Sequence, residues 1–169
     1  MRAVVITGPP GAGKSEVAAS LHDLLGEAGV DAALVECDEV ERSHPPIDRD
    51  RSVGHLRMLA DSYREFGCAL LLVTATLVDD EHRRAVLAAT GAEETTLVAL
   101  EADVQTLRDR ILAREPAGWQ GLPELLNASQ RLAASIRDLS GIDLVFSTEG
   151  EQPAAVADRI AEAISPAER

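Results

Sequence analysis

The sequence predicts an α/β fold: an open parallel sheet with helices on both faces. Two observations carry that prediction. Short apolar runs alternate with amphipathic helical segments along the whole chain, the order expected of βαβ units. The runs are apolar throughout rather than alternating with polar residues, as strands covered on both faces are. A third observation sets the domain count. No tract rich in Gly and Ser and no internal repeat interrupts the 169 residues, so one domain is expected over residues 1–169. Aromatic residues make up only 2% of the chain, so its core has to be built from Leu, Val, Ile and Ala.

"RAVVIT" (2–7) is the first strand, ending at a glycine, and a helix runs from Lys14 to about Gly26. "AALVECD" (32–38) is the second strand. In "ERSHPPIDRD" (41–50) Pro45 and Pro46 forbid a helix. The segment 47–67 places Val53, Leu56, Ala60 and Tyr63 on one helical face and stops at Gly67. "CALLLVTAT" (68–76) is the most apolar segment and the best central strand. A helix over 79–90, closed by Gly91, precedes the fourth strand at 95–102. Residues 103–115 read as a helix with Val104, Leu107 and Ile111 on one face. A longer helix spans 122–141, the fifth strand 142–148, and Pro153 opens a last helix through Ile164.

The formal net charge of −13 opposes binding to a nucleic-acid backbone, which needs clustered Lys and Arg. A small acceptor, neutral or cationic, fits the balance better. Cys37 and Cys68 have neither metal-type spacing nor the count of a disulfide framework, and the four histidines form no ligand cluster. No apolar run reaches the length of a signal peptide or a membrane span, so a reducing, cytoplasmic setting is expected.

"ITGPPGAGKS" (6–15) matches G-x-x-x-x-G-K-[ST] with a strand before it and a helix after it. Gly8, Pro10, Gly11, Ala12 and Gly13 would wrap a polyphosphate and turn backbone N–H groups inward, and the helix N-terminus beginning with Lys14, Ser15 and Glu16 faces the same oxygens. Lys14 would reach the outer phosphates of ATP, and the Ser15 hydroxyl would help hold Mg²⁺. Lys14 is the only lysine among sixteen basic residues. A compact ammonium serves this position where a forked guanidinium would be too bulky.

Hydrolytic NTPases carry an acid at the end of a central strand; here "LLLVTAT" ends in threonines, which argues against a motor or switch. The second strand ends "VECDE", and strand alternation would project Glu36 and Asp38 to one side of the ligand-binding edge. Asp38 is then the candidate base for an acceptor hydroxyl, and Glu36 a support for the Mg²⁺ shell. Arg110 and Arg114 sit at i,i+4 with no acid three or four positions away, a like-charged pair that calls for an anion between them.

With these motifs the chain resembles the small P-loop kinases, a group that includes shikimate kinase, gluconate kinase and chloramphenicol phosphotransferase. The resemblance implies the P-loop NTPase fold with strand order 2-3-1-4-5, and transfer of the γ-phosphoryl group of ATP to a hydroxyl of a small molecule. In the shikimate kinase pattern a D-x-D pair follows the second strand; here the first acid is Glu36. Arg57 aligns with an acceptor-binding arginine of that enzyme. The resemblance further implies a lid at 113–121, hinged by Gly118 and Gly121, with Arg110 and Arg114 serving the adenine and the transferring phosphate. Trp119 is a candidate cap for the acceptor pocket. Residues 147–153 fall where related kinases hold the adenine with backbone groups. Two other readings stay open on sequence: a nucleoside or nucleotide kinase, and a nucleotide-binding regulatory module with little turnover.

Overall fold

The computed structural model describes residues 1–165. In chain order it comprises β1 (Arg2–Thr7), α1 (Lys14–Glu27), β2 (Ala32–Glu36), a short helix α2 (Cys37–Val40), α3 (Arg49–Phe66), β3 (Leu70–Thr74), α4 (Asp80–Ala89), β4 (Thr95–Glu101), α5 (Val104–Arg114), α6 (Leu122–Ser135), β5 (Leu144–Ser147) and α7 (Pro153–Ile164). The strands form one parallel sheet in the order β2-β3-β1-β4-β5, the arrangement that the resemblance implied.

Side-chain alternation along the buried strands divides the core into two layers. Val4, Ile6, Leu72 and Leu100 face one side, against Leu21 of α1, Leu107 of α5 and Ile160 of α7. Ala3, Val5, Leu71 and Val73 face the other, against Leu56 and Ala60 of α3 and Val86 of α4. Apolar side chains on both faces explain why these strands read as unbroken apolar runs.

Register decides where the site falls. Ile6 of β1 and Glu36 of β2 both stand level with Thr74 of β3. The glycine-rich turn after β1 therefore opens beside the carboxyl end of β2, at the sheet edge where ligands bind in open α/β folds.

Several boundaries depart from the sequence reading: β3 is shorter than 68–76 at both ends, β5 begins at Leu144 rather than 142, and two further departures have a visible local cause. The second strand stops at Glu36, not Asp38, because Cys37–Val40 turns into α2. Asp38 and Glu39 occupy the first turn of that helix, where acidic side chains complement the helix dipole. Cys37 turns into the core on the α3 side. The long helix expected over 122–141 ends at Ser135, followed by a 3₁₀ turn at Ile136–Asp138. The Ser135 hydroxyl donates to the Arg131 carbonyl at 3.2 Å, a back-bond that competes with helix continuation. Among the described residues no helix is long and apolar enough to cross a membrane.

Candidate active site

The turn between β1 and α1 is packed so closely that only glycine fits at two of its positions. A Cβ at Gly8 would lie 2.6 Å from the Leu100 carbonyl oxygen, and one at Gly11 would lie 2.7 Å from that of Leu107. Gly11 also has φ +86°, in the left-handed region. Ala12 is fully buried and its N–H donates to the Pro9 carbonyl at 3.1 Å. The Pro10 carbonyl accepts a bond of 2.8 Å from the Ser129 hydroxyl, which braces the turn against α6.

Lys14 folds back over this turn. Its Nζ donates to the Gly8 carbonyl at 3.0 Å and reaches the Pro9 carbonyl at 3.5 Å, leaving the side chain only 8% exposed. Burial pushes its pKa below the ordinary 10.5; the charge of Asp38 pulls it back up, Arg114 pushes it down, and Glu16 raises it. Four of the residues singled out in the sequence thus share one electrostatic neighbourhood. Asp38 reaches it from the first turn of α2 rather than by strand alternation. Its side chain is exposed and, among the described residues, makes no hydrogen bond or ion pair.

The Ser15 hydroxyl donates to the Glu36 carboxylate, joining the start of α1 to the end of β2. Two hard oxygen donors side by side at the mouth of a phosphate-binding turn suit Mg²⁺, which keeps most of its waters and takes few protein ligands. Among the described residues no cluster of three or more His, Cys, Asp or Glu side chains could hold a metal by itself.

Arg110 and Arg114 line a cavity of about 470 Å³ beside the turn, together with Gly11, Gly13, Glu16 and Val17. The wall is completed by Thr148, Glu151, Pro153 and Val156. Arg110 is a structural clamp. Its Nη1 donates to the Gly11 carbonyl at 3.2 Å and the Thr148 hydroxyl at 2.9 Å, and its Nη2 donates to the Thr148 carbonyl at 2.7 Å. Glu149 ties the same loop to α5 by accepting from the Asp103 N–H and the Thr106 hydroxyl. Arg114 finds an acid after all, in its chain neighbour Glu115, at 2.7 Å. Adjacent residues escape a search restricted to helical i,i+3 and i,i+4 spacing.

Other sequence candidates stand apart from this group. Arg57 is exposed on α3 and does not line the cavity. The Trp119 ring lies on Gly121, where a Cβ would come within 2.5 Å of it, so this tryptophan packs on its own turn, and it does not line the cavity beside the phosphate-binding turn. Thr148, Pro153 and Val156 line this cavity although their side chains carried no motif; Thr148 and Pro153 fall within 147–153, the stretch singled out after the last strand, and no sequence signal pointed to Val156.

A family model described as an AAA domain matches residues 4–118, which span the phosphate-binding turn, β2, β3 and α5. The chain belongs to this AAA-domain family. No curated protein matches the sequence. Among solved structures it is similar to a sugar kinase from Janibacter sp. HTCC2649, with 17% identity, a TM-score of 0.70 and coverage of 99% of this chain and 97% of that one. It is also similar to the APS kinase of Mycobacterium tuberculosis in complex with AMPPNP and APS (20% identity, TM-score 0.67, 95% of each chain). A third is the shikimate kinase of Acinetobacter baumannii in complex with shikimate (20% identity, TM-score 0.59, 96% and 92%). At such identities the likeness is one of fold, and the fold is that of the small P-loop kinases.

Proposed function

We propose that this chain is an ATP- and Mg²⁺-dependent phosphotransferase that moves the γ-phosphoryl group to a hydroxyl of a small molecule. The reading takes residues 1–169 as one cytoplasmic domain with a lid at 113–121. The observation that carries it is the geometry at the start of α1: Lys14 Nζ lies on the Gly8 and Pro9 carbonyls of the glycine-rich turn, while the neighbouring Ser15 hydroxyl donates to the Glu36 carboxylate at the end of β2. Kinase neighbours that hold AMPPNP or shikimate support the same assignment.

In this reading Gly8, Pro10, Gly11, Ala12 and Gly13 cradle the phosphates with backbone N–H groups, and Lys14 exchanges its carbonyl partners for phosphate oxygens. Arg110, Pro153 and Val156 form the walls against which the base packs, and Glu16 borders the same cavity. Ser15 and Glu36 would hold Mg²⁺ and its waters; when bound, the ion neutralises charge on the phosphates. Asp38 accepts the proton of the acceptor hydroxyl as its oxygen bonds to the γ-phosphorus and the bond to ADP breaks. Arg114 leaves Glu115 to meet the charge spread over the transferring group. Closure of the lid over 113–121 excludes water, which favours the acceptor over hydrolysis. Arg57 remains the candidate for an anionic group on the acceptor.

The test is ADP formation with a panel of hydroxyl-bearing metabolites, followed by Asp38→Asn on the acceptor that stimulates it. The variant should bind ATP as the parent does and lose about 10²–10⁴ in turnover. Unchanged transfer by Asp38→Asn would remove this residue from the chemistry, and ATP recovered intact with every acceptor would leave a nucleotide-binding module.

A further inference from the structure

The cavity beside the phosphate-binding turn is lined by five residues with polar side chains, and three of these are already engaged by the protein. Arg110 gives its fork to Gly11 and Thr148. The Thr148 hydroxyl accepts from Arg110 and lies 3.4 Å from the Glu101 carbonyl, and Arg114 is held by Glu115. The other two are carboxylates, Glu16 and Glu151. Glu16 stands in the first turn of α1, next but one to Lys14, at the phosphate end. Glu151 stands in the loop before α7, two residues from Pro153, at the end where the base packs. An ionised carboxylate accepts hydrogen bonds and donates none, so the ligand has to bring the donor.

Glu151 is held in one orientation. Arg159 of α7 sets a single nitrogen, Nη1, against both carboxylate oxygens, 2.8 Å from Oε1 and 3.1 Å from Oε2. The guanidinium is itself seated over the Phe146 ring, 5.1 Å from the centroid. A donor shared in this way occupies the inner lone pair of each oxygen, and a carboxylate has about four such sites in all. One outer lone pair is left on each oxygen, and the two diverge. Glu151 can therefore meet a lone donor on a ligand but not two parallel ones. Adenine carries a lone exocyclic donor, its 6-amino group. Guanine presents N1–H and its 2-amino group side by side, a pair that needs the edge Arg159 covers. The 6-oxo group of guanine or hypoxanthine, placed where the 6-amino group would be, sets lone pairs against the carboxylate.

On the nucleotide-binding reading of this cavity, we infer that Glu151, fixed by Arg159, selects an adenine nucleotide by accepting a hydrogen bond from its 6-amino group and rejects 6-oxo purines. Discrimination is strong where a buried or fixed polar group is left facing the wrong partner. The selecting group lies in the loop before α7, apart from the glycine-rich turn, which holds the phosphates whatever base they carry. Base choice and phosphate binding are therefore separable by substitution.

Calorimetric titration of the full chain with ATP, ITP, GTP and inorganic tripolyphosphate, each with Mg²⁺, tests this. ATP should bind at least about tenfold more tightly than ITP or GTP, the worth of one hydrogen bond to a charged group. Glu151→Gln offers an amide donor in place of one oxygen. It should bring ATP and ITP within about threefold of each other and leave tripolyphosphate affinity as in the parent. Arg159→Met keeps apolar packing on Phe146 and uncovers the inner edge of the carboxylate, so the gap between ATP and GTP should narrow by about threefold or more. Equal binding of ATP and ITP by the parent overturns the inference and leaves the nucleotide-binding reading standing. Selectivity retained by Glu151→Gln does the same, and an unchanged GTP gap in Arg159→Met overturns the part given to Arg159. A chain that binds neither ATP nor tripolyphosphate overturns the nucleotide-binding reading itself, and the inference with it.

Discussion

The Ser15 hydroxyl donates to the Glu36 carboxylate across the gap between the start of α1 and the end of β2. The bond exists because Glu36 and Ile6 stand level with Thr74 in the sheet, which brings the phosphate-binding turn beside the end of the edge strand. On the proposed function this pair supports Mg²⁺. Glu36→Ala should therefore raise the Mg²⁺ concentration needed for half-maximal activity by about tenfold or more, as loss of an outer-sphere partner does. Affinity for metal-free ATP should be unchanged. A Mg²⁺ titration of both proteins, followed by ADP release, checks it.

Arg110 spans two elements with a fork that lysine lacks. Its guanidinium reaches the Gly11 carbonyl and both oxygens of Thr148 together. Arg110→Lys keeps the charge but cannot bridge both sites, and should cost about 1–3 kcal/mol of stability. Urea unfolding, with the slope unchanged and the midpoint lowered, is the measurement. An unshifted midpoint would show that the clamp contributes nothing to folding.

Arg114 is held by Glu115 in the absence of phosphate. Removing that competitor frees the guanidinium for a nucleotide. Glu115→Gln should tighten ATP binding by about two- to fivefold, the worth of a partly exposed ion pair. Calorimetric titration of the two proteins decides it, and weaker binding by the variant would mean that Glu115 orients Arg114 rather than detains it.

Lys14 is held below its ordinary pKa of 10.5 by burial, against the pull of Asp38. Between its folded and unfolded values the unfolded chain carries more protons, so stability rises with pH across that window and is indifferent to it below. The wild-type protein should therefore gain stability relative to Lys14→Met as pH climbs toward about 10.5. Denaturation curves for both proteins at neutral and alkaline pH test this; a gap that is constant or moves the other way contradicts the buried-ammonium picture.

Cys37 is buried in the α3-side core, and burial, with Glu41 and Asp38 nearby, pushes its thiol pKa up to about 12. It should resist thiol reagents at pH 8 while the partly exposed Cys68 reacts. One equivalent of label on the native protein, located at Cys68 by peptide mapping, and two after unfolding is the expected outcome.

Much of the fold was legible along the chain because its signals are local. The apolar runs 2–7 and 95–102 became β1 and β4 within a residue, and Pro153 and Ile164 bound α7 as read. The glycine-rich turn was legible for the same reason: the need for glycine at 8 and 11 is met by backbone packing, which leaves a mark in residue type. Asp38 became a candidate through a mistaken premise. The strand ended two residues early, yet α2 carried the carboxylate to Lys14's neighbourhood all the same.

The sequence by itself determined the elements, the sheet's class and the phosphate-binding turn, since each depends on side chains close together in the chain. Only the tertiary structure decided that Ser15 meets Glu36, that Arg110 clamps Thr148, and that Thr148, Pro153 and Val156 wall the cavity. Those contacts join residues far apart in sequence. They are set by strand order and register, which no local pattern of hydrophobicity or charge encodes.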